Sequence, residues 1–522
     1  MAQRTGILSL FRRDFRFKLF IEGTIIGIFV GILIVAFRLV LEKAEEFRAY
    51  LYTVLRMQNI GASILLFVGL VIIGIILACI VAKLPMSAGS GIPQVKGVLV
   101  GQFKVENPVS LILGKLGGGI LGIGAGLSLG REGPSIQLGA TLGQIISRRL
   151  KCVKIEEKYL ITCGASAGLA AVFNAPLAGV IFALEELHKN FSPLVLISAM
   201  AASLSADVVT QIFFGQGPIF SFQNLPVFPL PYLVYLAGLG IICGLSGALF
   251  NKSLLKSLNL YGKFKLPKVL HPVVPLLIAG ILGFVLPEVL GGGNNLVNAL
   301  DEKNYAITFV LILLIAKFIF TMLSYGSGVP GGIFLPLLVI GSLTGNLYGQ
   351  LLAHNLPGNL AFINNYTVYA MAAYFAAIVK APVTGSILIT EMTGSFHHLL
   401  PLIFVSMAAY IVADILKSEP VYELLYERAA GQQKSGISGN GAGERVIHEI
   451  VVCLGCQIVD KKVKDISWPK GCLLVGIKRG ESEIIPKGNT LLKAGDYLFA
   501  LVQEENKEIY EELMRLTDDR KS

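Results

Sequence analysis

The chain has 522 residues, 54% of them hydrophobic and only 15% charged, with a formal net charge of +10. Soluble domains carry about 25% charged residues, so this composition excludes an ordinary soluble enzyme or binding module and indicates a polytopic membrane protein. Its seven cysteines are scattered without paired spacing, which argues against a disulfide framework.

The N-terminus is basic (Arg4, Arg12, Arg13, Arg16, Lys18) and leads into an apolar run. No small-residue cleavage site follows, so no cleavable signal peptide is expected. Apolar stretches recur to about residue 416. Several of them (61–82, 191–213, 231–250, 305–323) approach the roughly 20 residues that cross a bilayer as a helix. Others (108–125, 135–147, 176–186) are short or broken by Gly and Pro. Further basic clusters at 148–158 and 252–268 lie between membrane segments. The positive-inside rule accounts for them and places all three clusters on the cytoplasmic side; no nucleic-acid partner is expected.

Three Gly-rich punctuations precede predicted helices: "GSGIP" (89–93), "GREGP" (130–134) and "GGIFLP" (331–336). A helix N-terminus presents unpaired N–H groups and the positive end of its dipole. Glycines let that backbone approach a ligand closely, and an early proline forfeits no needed donor. Such broken-helix ends hold an anion inside a membrane without a full buried charge. Within the second motif, Arg131 and Glu132 stand together in an otherwise apolar run. Adjacent helical residues do not face one another, so Glu132 is expected to act as a tethered anion and not as a partner of Arg131. Burial opposes charge on such a carboxylate while a helix N-terminus favours it, which leaves the group titratable. Arg131 is assigned to structure or to positive potential near the pathway.

"GASAG" (164–168) matches a nucleophile-elbow pattern, but it lies in an apolar helix with no triad, so no enzyme activity is expected. "FALEELHKNF" (182–191) places Glu185 and Glu186 at a helix end, followed by His188, which is expected to be a solvated loop residue. The segment 170–186 aligns without gaps on 376–392, with seven of seventeen positions identical, among them Pro176/Pro382 and Glu185/Glu391. "GSGIP" (89–93) and "GSGVP" (326–330) form a second match. Duplicated halves with Gly/Pro-interrupted short segments point to a transporter whose site lies between the repeats.

Near Tyr426 the composition shifts. Residues 427–445 are rich in Gly, Ser and Gln and read as a flexible linker. Polar/apolar alternation follows, with "RGES", "PKGN" and "KAGD" as turns, and Ile509, Leu513 and Leu516 at helical spacing close the chain. The expected division is a membrane domain over 1–428, a linker over 429–446 and a soluble domain over 447–522. Cys453, Cys456 and Cys472 are expected as buried strand cysteines, since a zinc site needs about four ligands and would have to enlist His448. No metal and no cofactor are expected.

On the residues "GSGIP", "GREGP", "GASAGLAAVFNAPLAG" (164–179) and "GGIFLP", in that order, the chain resembles the CLC family of chloride channels and proton-coupled chloride transporters over roughly residues 18 to 428. The resemblance implies an all-α polytopic membrane protein with inverted-topology repeats and broken helices, assembled as a homodimer with one anion pathway per subunit, carrying here a small soluble α+β C-terminal domain. It implies that Ser90, flanked by Gly89 and Gly91, donates its hydroxyl to a central chloride. Ile333 and Phe334 would add backbone N–H groups, and Tyr422 a phenol at the cytoplasmic access. It names Glu132 as the external gate and proton carrier, and Glu186 as the internal proton relay that family channels usually lack. Glu185 would help lead protons inward. The fluoride-selective branch departs from both the serine and the "GREGP" patterns. Gln94 and Lys96 depart from the acids of some bacterial relatives, which leaves the local electrostatics open. The C-terminal domain resembles the TrkA-C domain over about 459–501; such domains dimerise and regulate transport, often by binding a small ligand.

The expected function is therefore chloride/proton antiport in a cell membrane, with both termini cytoplasmic and with chloride, protons and the bilayer as partners. A passive chloride channel of the same fold is the alternative. A cation-transport subunit is a remote third, for which a carbonyl filter of the TVGYG kind is not found.

Overall fold

The computed structural model describes residues 2–517 apart from 57–59, 190–191, 221, 223–224, 264–265, 304, 437–444, 454–455, 457, 470, 480–481 and 504–506. The chain divides into two compact units, Met1–Gln432 and Gln433–Ser522. In the first, nine helices among the described residues are long and apolar enough to cross a membrane. The first half runs α1 (Ala2–Leu55), α2 (Ile60–Lys83), α3 (Ile92–Val100), α4 (Pro108–Gly124), α5 (Glu132–Arg149), α6 (Lys154–Phe173), α7 (Pro176–Phe182, prolonged by a wider π-helical turn over Ala183–His188) and α8 (Pro193–Phe214). The second half repeats the series as α9 (Leu233–Lys263), α10 (Val273–Val285), α11 (Asn294–Glu302), α12 (Ile307–Gly326), α13 (Phe334–Asn355), α14 (Ile363–Val379), α15 (Pro382–Thr393) and α16 (Leu399–Ile415). Helix α17 (Val421–Gly436) follows.

Local chemistry explains where these helices begin and end. Pro108, Pro176, Pro193 and Pro382 stand in first turns, where a missing N–H costs nothing. The Asn107 side chain accepts from Ser110 N at 3.2 Å and caps α4. Helices α6 and α14 both stop on a left-handed residue, Asn174 and Lys380, immediately before the Ala-Pro that starts α7 and α15. Close packing relies on small residues: a Cβ on Gly139 would lie 2.0 Å from Gly164 O, so α5 and α6 touch backbone to backbone.

The repeat registers differently from the short motif match. Lys115 on α4 is fully buried and donates to Ser87 O and Gly89 O, 28 and 26 residues before it. Lys317 on α12, also fully buried, donates to Val289 O and Gly291 O at the same separations of 28 and 26. Gly89 and Gly291 share φ of 60° and 66°, and Gly91 and Gly293 share 95° and 99°. "GSGIP" (89–93) is therefore the counterpart of "GGGNN" (291–295), and "GSGVP" (326–330) is not its repeat partner but the last residue of α12 and the turn that follows it. A lysine clamp and two left-handed glycines define the correspondence, which a four-residue coincidence of Gly, Ser and Pro cannot. Where the halves meet, Gly130 and Gly332 exchange two hydrogen bonds of 2.7 Å in an antiparallel bridge, as inverted repeats require.

The second unit is a four-stranded antiparallel sheet, β1 (Arg445–Val451), β2 (Leu473–Arg479), β3 (Ser482–Ile484) and β4 (Tyr497–Gln503), in the order β1-β4-β2-β3. Helix α18 (Lys507–Thr517) packs Ile509 and Leu513 with Ile450, Ala500 and Val502. Two expectations change here. The linker expected over 429–446 begins as helix, because α17 continues to Gly436 through residues such as Ala429, Ala430 and Gln432 that favour helix; residues 437–444 lie outside the described residues, as do two residues of the "RGES" turn. Cys453 and Cys456 follow β1 and Cys472 precedes β2, so none of the three is on a strand, and only Cys456 is buried. The strand pattern stops at Val451, where the chain turns to reach α18 through Cys453 N and Thr517 O. Among the described residues no group of three His, Cys, Asp or Glu is placed to hold a metal, and the His448 side chain lies outside them.

Candidate functional site

The three Gly-rich motifs, far apart in sequence, converge on one point. Gly331 N donates to Gly89 O at 2.9 Å, which joins the third motif to the first, and the Gly130/Gly332 bridge joins the second to the third. A Cβ on Gly133 would fall 2.9 Å from Ser90 Cβ, so the first turn of α5 lies against the Ser90 loop. Ser90 is buried, and its Oγ accepts from Ile92 N at 3.2 Å. The Lys115 ammonium holds the loop through two carbonyls. Tyr325, on α12, brings its hydroxyl to 3.2 Å from where a Cβ on Gly89 would sit. Neither Lys115 nor Tyr325 was among the residues expected from sequence. A lysine inside an apolar, glycine-rich run was the available signal for the first; nothing local marks the second.

Glu132 opens α5 and is fully buried. Its carboxylate folds back over Gly130, where a Cβ would clash with Oε2, so the first glycine of "GREGP" is required for the carboxylate to take this position. Oε2 accepts from Leu335 N at 3.4 Å, in the first turn of α13, and Oε1 has no partner. The acid of one half thus lies at the helix start of the other. Arg131 turns the opposite way: its Nη1 reaches Glu42 Oε1 on α1 at 3.2 Å. It lines a cavity of about 680 Å³ together with Glu42, Arg48, Leu129 and Leu335. Arg131 and Glu132 are neighbours in sequence and have separate partners.

Ile333 and Phe334 stand at the N-cap and first residue of α13, both buried, where helix geometry leaves N–H groups unpaired. The Phe334 ring is fixed by Phe375 at 4.8 Å, Phe173 at 5.2 Å and Phe182 at 6.4 Å between centroids, so the helix start is anchored by apolar packing on three sides. Tyr422, near the start of α17, is fully buried with no partner for its hydroxyl, and it lies within electrostatic reach of Tyr325, Glu186 and Glu132. A buried phenol without a partner is unusual and marks a place where a polar ligand would fit.

Glu185 and Glu186 diverge. Glu186, on the π-helical turn after α7, is buried and one of its oxygens has no partner; wide turns of this kind recur at functional sites. Glu185 points to the other half instead. Its Oε2 accepts from Thr384 N at 2.7 Å and Thr384 Oγ1 at 2.6 Å, while Oε1 accepts from Val383 N at 3.4 Å. It therefore caps α15. Its repeat counterpart Glu391 caps α7 in return, accepting from Leu177 N at 3.1 Å and Ala178 N at 2.8 Å. A carboxylate held in this way stabilises the start of α15. His188 is not a solvated loop histidine: it is half-buried and its Nε2 lies 2.6 Å from Thr162 Oγ1, because the π-helical turn carries it back onto α6. Lys96, left open by the sequence, is buried and bonded to Glu423, which follows Tyr422 and also receives Lys189 Nζ at 2.6 Å. Two cations thus fix the first turn of α17 beside the Glu186 turn.

The chain's similarities to known proteins agree with this arrangement. Residues 69–414 match the family model described as voltage gated chloride channel, and residues 447–514 match that of the TrkA-C domain. The H(+)/Cl(-) exchange transporter ClcA of Vibrio cholerae serotype O1 (strain M66-2) is 35% identical over 67% of this chain and 76% of its own. The protein of the same name from Citrobacter koseri is 33% identical over 79% and 89%. Among solved structures, a slow cyanobacterial Cl−/H+ antiporter superposes with a TM-score of 0.75 at 29% identity, covering 80% of this chain and 99% of that one.

Proposed function

The chain belongs to the family of voltage-gated chloride channels, and from that premise we propose that it exchanges chloride for protons across a cell membrane. Glu132 is the external gate and proton carrier. When charged, its carboxylate occupies the anion position at the start of α13; when protonated, it loses that attraction, moves aside and admits chloride. Ser90, the amides of Ile333 and Phe334, and the phenol of Tyr422 form the chloride site, and Glu186 relays protons from the other side. The observation that carries the reading is that Glu132, fully buried, places Oε2 at the Leu335 amide of the opposite half while Oε1 lacks a partner. A carboxylate in that position competes with an anion for the same helix dipole. The protein works as a homodimer with both termini cytoplasmic, and the C-terminal domain regulates exchange. The Vibrio cholerae and Citrobacter koseri relatives are H(+)/Cl(-) exchange transporters, which supports exchange over passive conduction.

Reconstitution into liposomes with an outward chloride gradient tests this. Chloride leaving the vesicles should drive protons inward, against their own gradient. Chloride efflux without uphill proton movement would overturn the mechanism in favour of a passive channel.

A further inference from the structure

We propose that the groove between the ends of α9, α10 and α12 is a binding site for one anionic phospholipid, with its phosphate held by Lys256 and His271 and an acyl chain laid in the apolar cavity beneath. The cavity, about 330 Å³, has Leu260, Phe318, Ile319 and Met322 among its walls. Leu260 and Ile319 are both exposed.

The polar groups at its mouth separate into those already satisfied and those left over. Ser257 Oγ donates to Met322 O at 2.6 Å, and Tyr261 OH to Leu323 O at 3.1 Å. The Lys256 ammonium has no ion-pair or hydrogen-bond partner among the described residues. His271 Nε2 is shielded from solvent without a partner, while its ring stands edge-on to Tyr261 with centroids 5.4 Å apart. Both leftover nitrogens belong to residues that line the same cavity. Around the mouth, Lys252, Lys263 and Lys268 are exposed, and among the described residues none of them has an ion pair and no acidic residue lines the cavity. Three membrane-spanning helices therefore present an apolar slot under a cluster of uncompensated cations, which is complementary to a lipid with an apolar tail and a negative head. Asn251 Nδ2 reaches Glu419 O at 3.0 Å and Arg428 bonds Asn259, so this end of α9 lies on the side where α17 begins. The anionic leaflet of a cell membrane is the cytoplasmic one, on which the positive-inside rule places this cluster.

The test uses the full-length protein purified in mild detergent with equal amounts of phosphatidylglycerol and phosphatidylcholine, and counts retained lipids by native mass spectrometry. We expect one phosphatidylglycerol per chain held in preference to phosphatidylcholine, and no displacement by excess glycerol phosphate. Lys256→Gln should weaken that retention by about fivefold, the contribution of one basic residue at a membrane surface. Ile319→Trp should weaken it by filling the slot with all the charges intact, while Lys154→Gln, in a different basic cluster, should leave it unchanged. Equal retention of the two lipids by the wild-type protein would overturn the proposal without recourse to any variant. So would displacement by glycerol phosphate, which would mean that only the headgroup anion is bound, or a loss in Lys154→Gln as large as that in Lys256→Gln.

Discussion

Replacing Glu132 by Gln keeps the shape of the side chain and removes its charge. In the wild-type chain the carboxylate accepts an N–H from the opposite half, Leu335 at 3.4 Å, with the amides of Arg131 and Glu132 itself also close to it. A hydrogen bond to a charged group contributes about 1.5–3 kcal/mol, and this one is long, so the lower end applies. Chloride entering the position must displace that tethered competitor; a neutral amide competes far less. The apparent chloride affinity should therefore rise by about 1.5 kcal/mol, roughly tenfold. Isothermal titration of the purified protein with chloride measures the shift. In parallel, proton movement in liposomes should fall to background while chloride efflux persists, because the side chain no longer carries a proton between the two faces. Unchanged chloride affinity together with retained proton movement would refute both the competition and the carrier role.

The remaining expectations concern other parts of the chain. Glu186→Gln should abolish proton movement and spare chloride efflux in the same vesicles; normal coupling would remove Glu186 from the proton path. Glu185→Ala, which strips the cap from α15, should cost about 1–2 kcal/mol of stability, read as a lowered thermal midpoint, whereas Glu185→Gln should cost less and leave coupling intact. Loss of proton coupling in Glu185→Gln would show that the carboxylate does more than cap. In the C-terminal unit, burial opposes the charge of Asp496, but the Arg479 guanidinium at 2.7 Å and the Lys493 amide at 2.8 Å outweigh it and hold the carboxyl below its ordinary value. A depressed acid stabilises the fold above its unfolded pKa of about 3.9, and the contribution disappears as pH falls through the lower folded value. Asp496→Asn should therefore cost about 1–2 kcal/mol at pH 7, allowing for the partly exposed Arg479, and progressively less below about pH 4. Trp468 is the only tryptophan of the chain and lies in this unit, so its fluorescence during denaturation of the intact protein reports the difference; equal midpoints at pH 7 would refute it.

Much of this architecture could be read from residue chemistry alone. Helix starts announce themselves through Gly and Pro, and the repeat of 170–186 in 376–392 survives because both segments cap and cross each other with the same Glu. What stayed hidden depends on contacts between residues far apart in the sequence. Arg131 finds Glu42 on α1, 89 residues away, and no spacing rule foretells it. The Lys96–Glu423–Lys189 cluster joins residues more than 200 positions apart, and each of the three reads locally as an ordinary charge near a helix end. The first residues of the segment read as a linker are helix to Gly436, because a preceding helix with Ala and Gln at its end continues until helix formers run out. His188 was misjudged because a π-helical turn shifts each following side chain off the α-helical face that sequence spacing assumes.

The corrected register also explains why one fold, used twice, gives a single site and not two. Shifted by the distance from Lys115 to Lys317, the core elements of the first half have their equals in the second: the clamping lysine, the paired left-handed glycines, and the helix that starts after the bridging glycine. The chemistry is not repeated. Ser90 has Gly292 as its counterpart, and Glu132 has Phe334. The second half thus contributes unpaired amides on an apolar, aromatic-anchored helix start, and the first contributes a hydroxyl and a titratable acid. Because the halves are inverted and meet at Gly130 and Gly332, the acid of one lies on the amides of the other. Two charged gates would leave the amides with no vacancy for a mobile anion, and two apolar starts would leave nothing to carry a proton. Placing Glu at position 334 or Phe at position 132 would each destroy exchange, the first by locking the site and the second by leaving it uncoupled. Under the gating role proposed for Glu132, the asymmetry laid over a symmetric frame is what exchange needs.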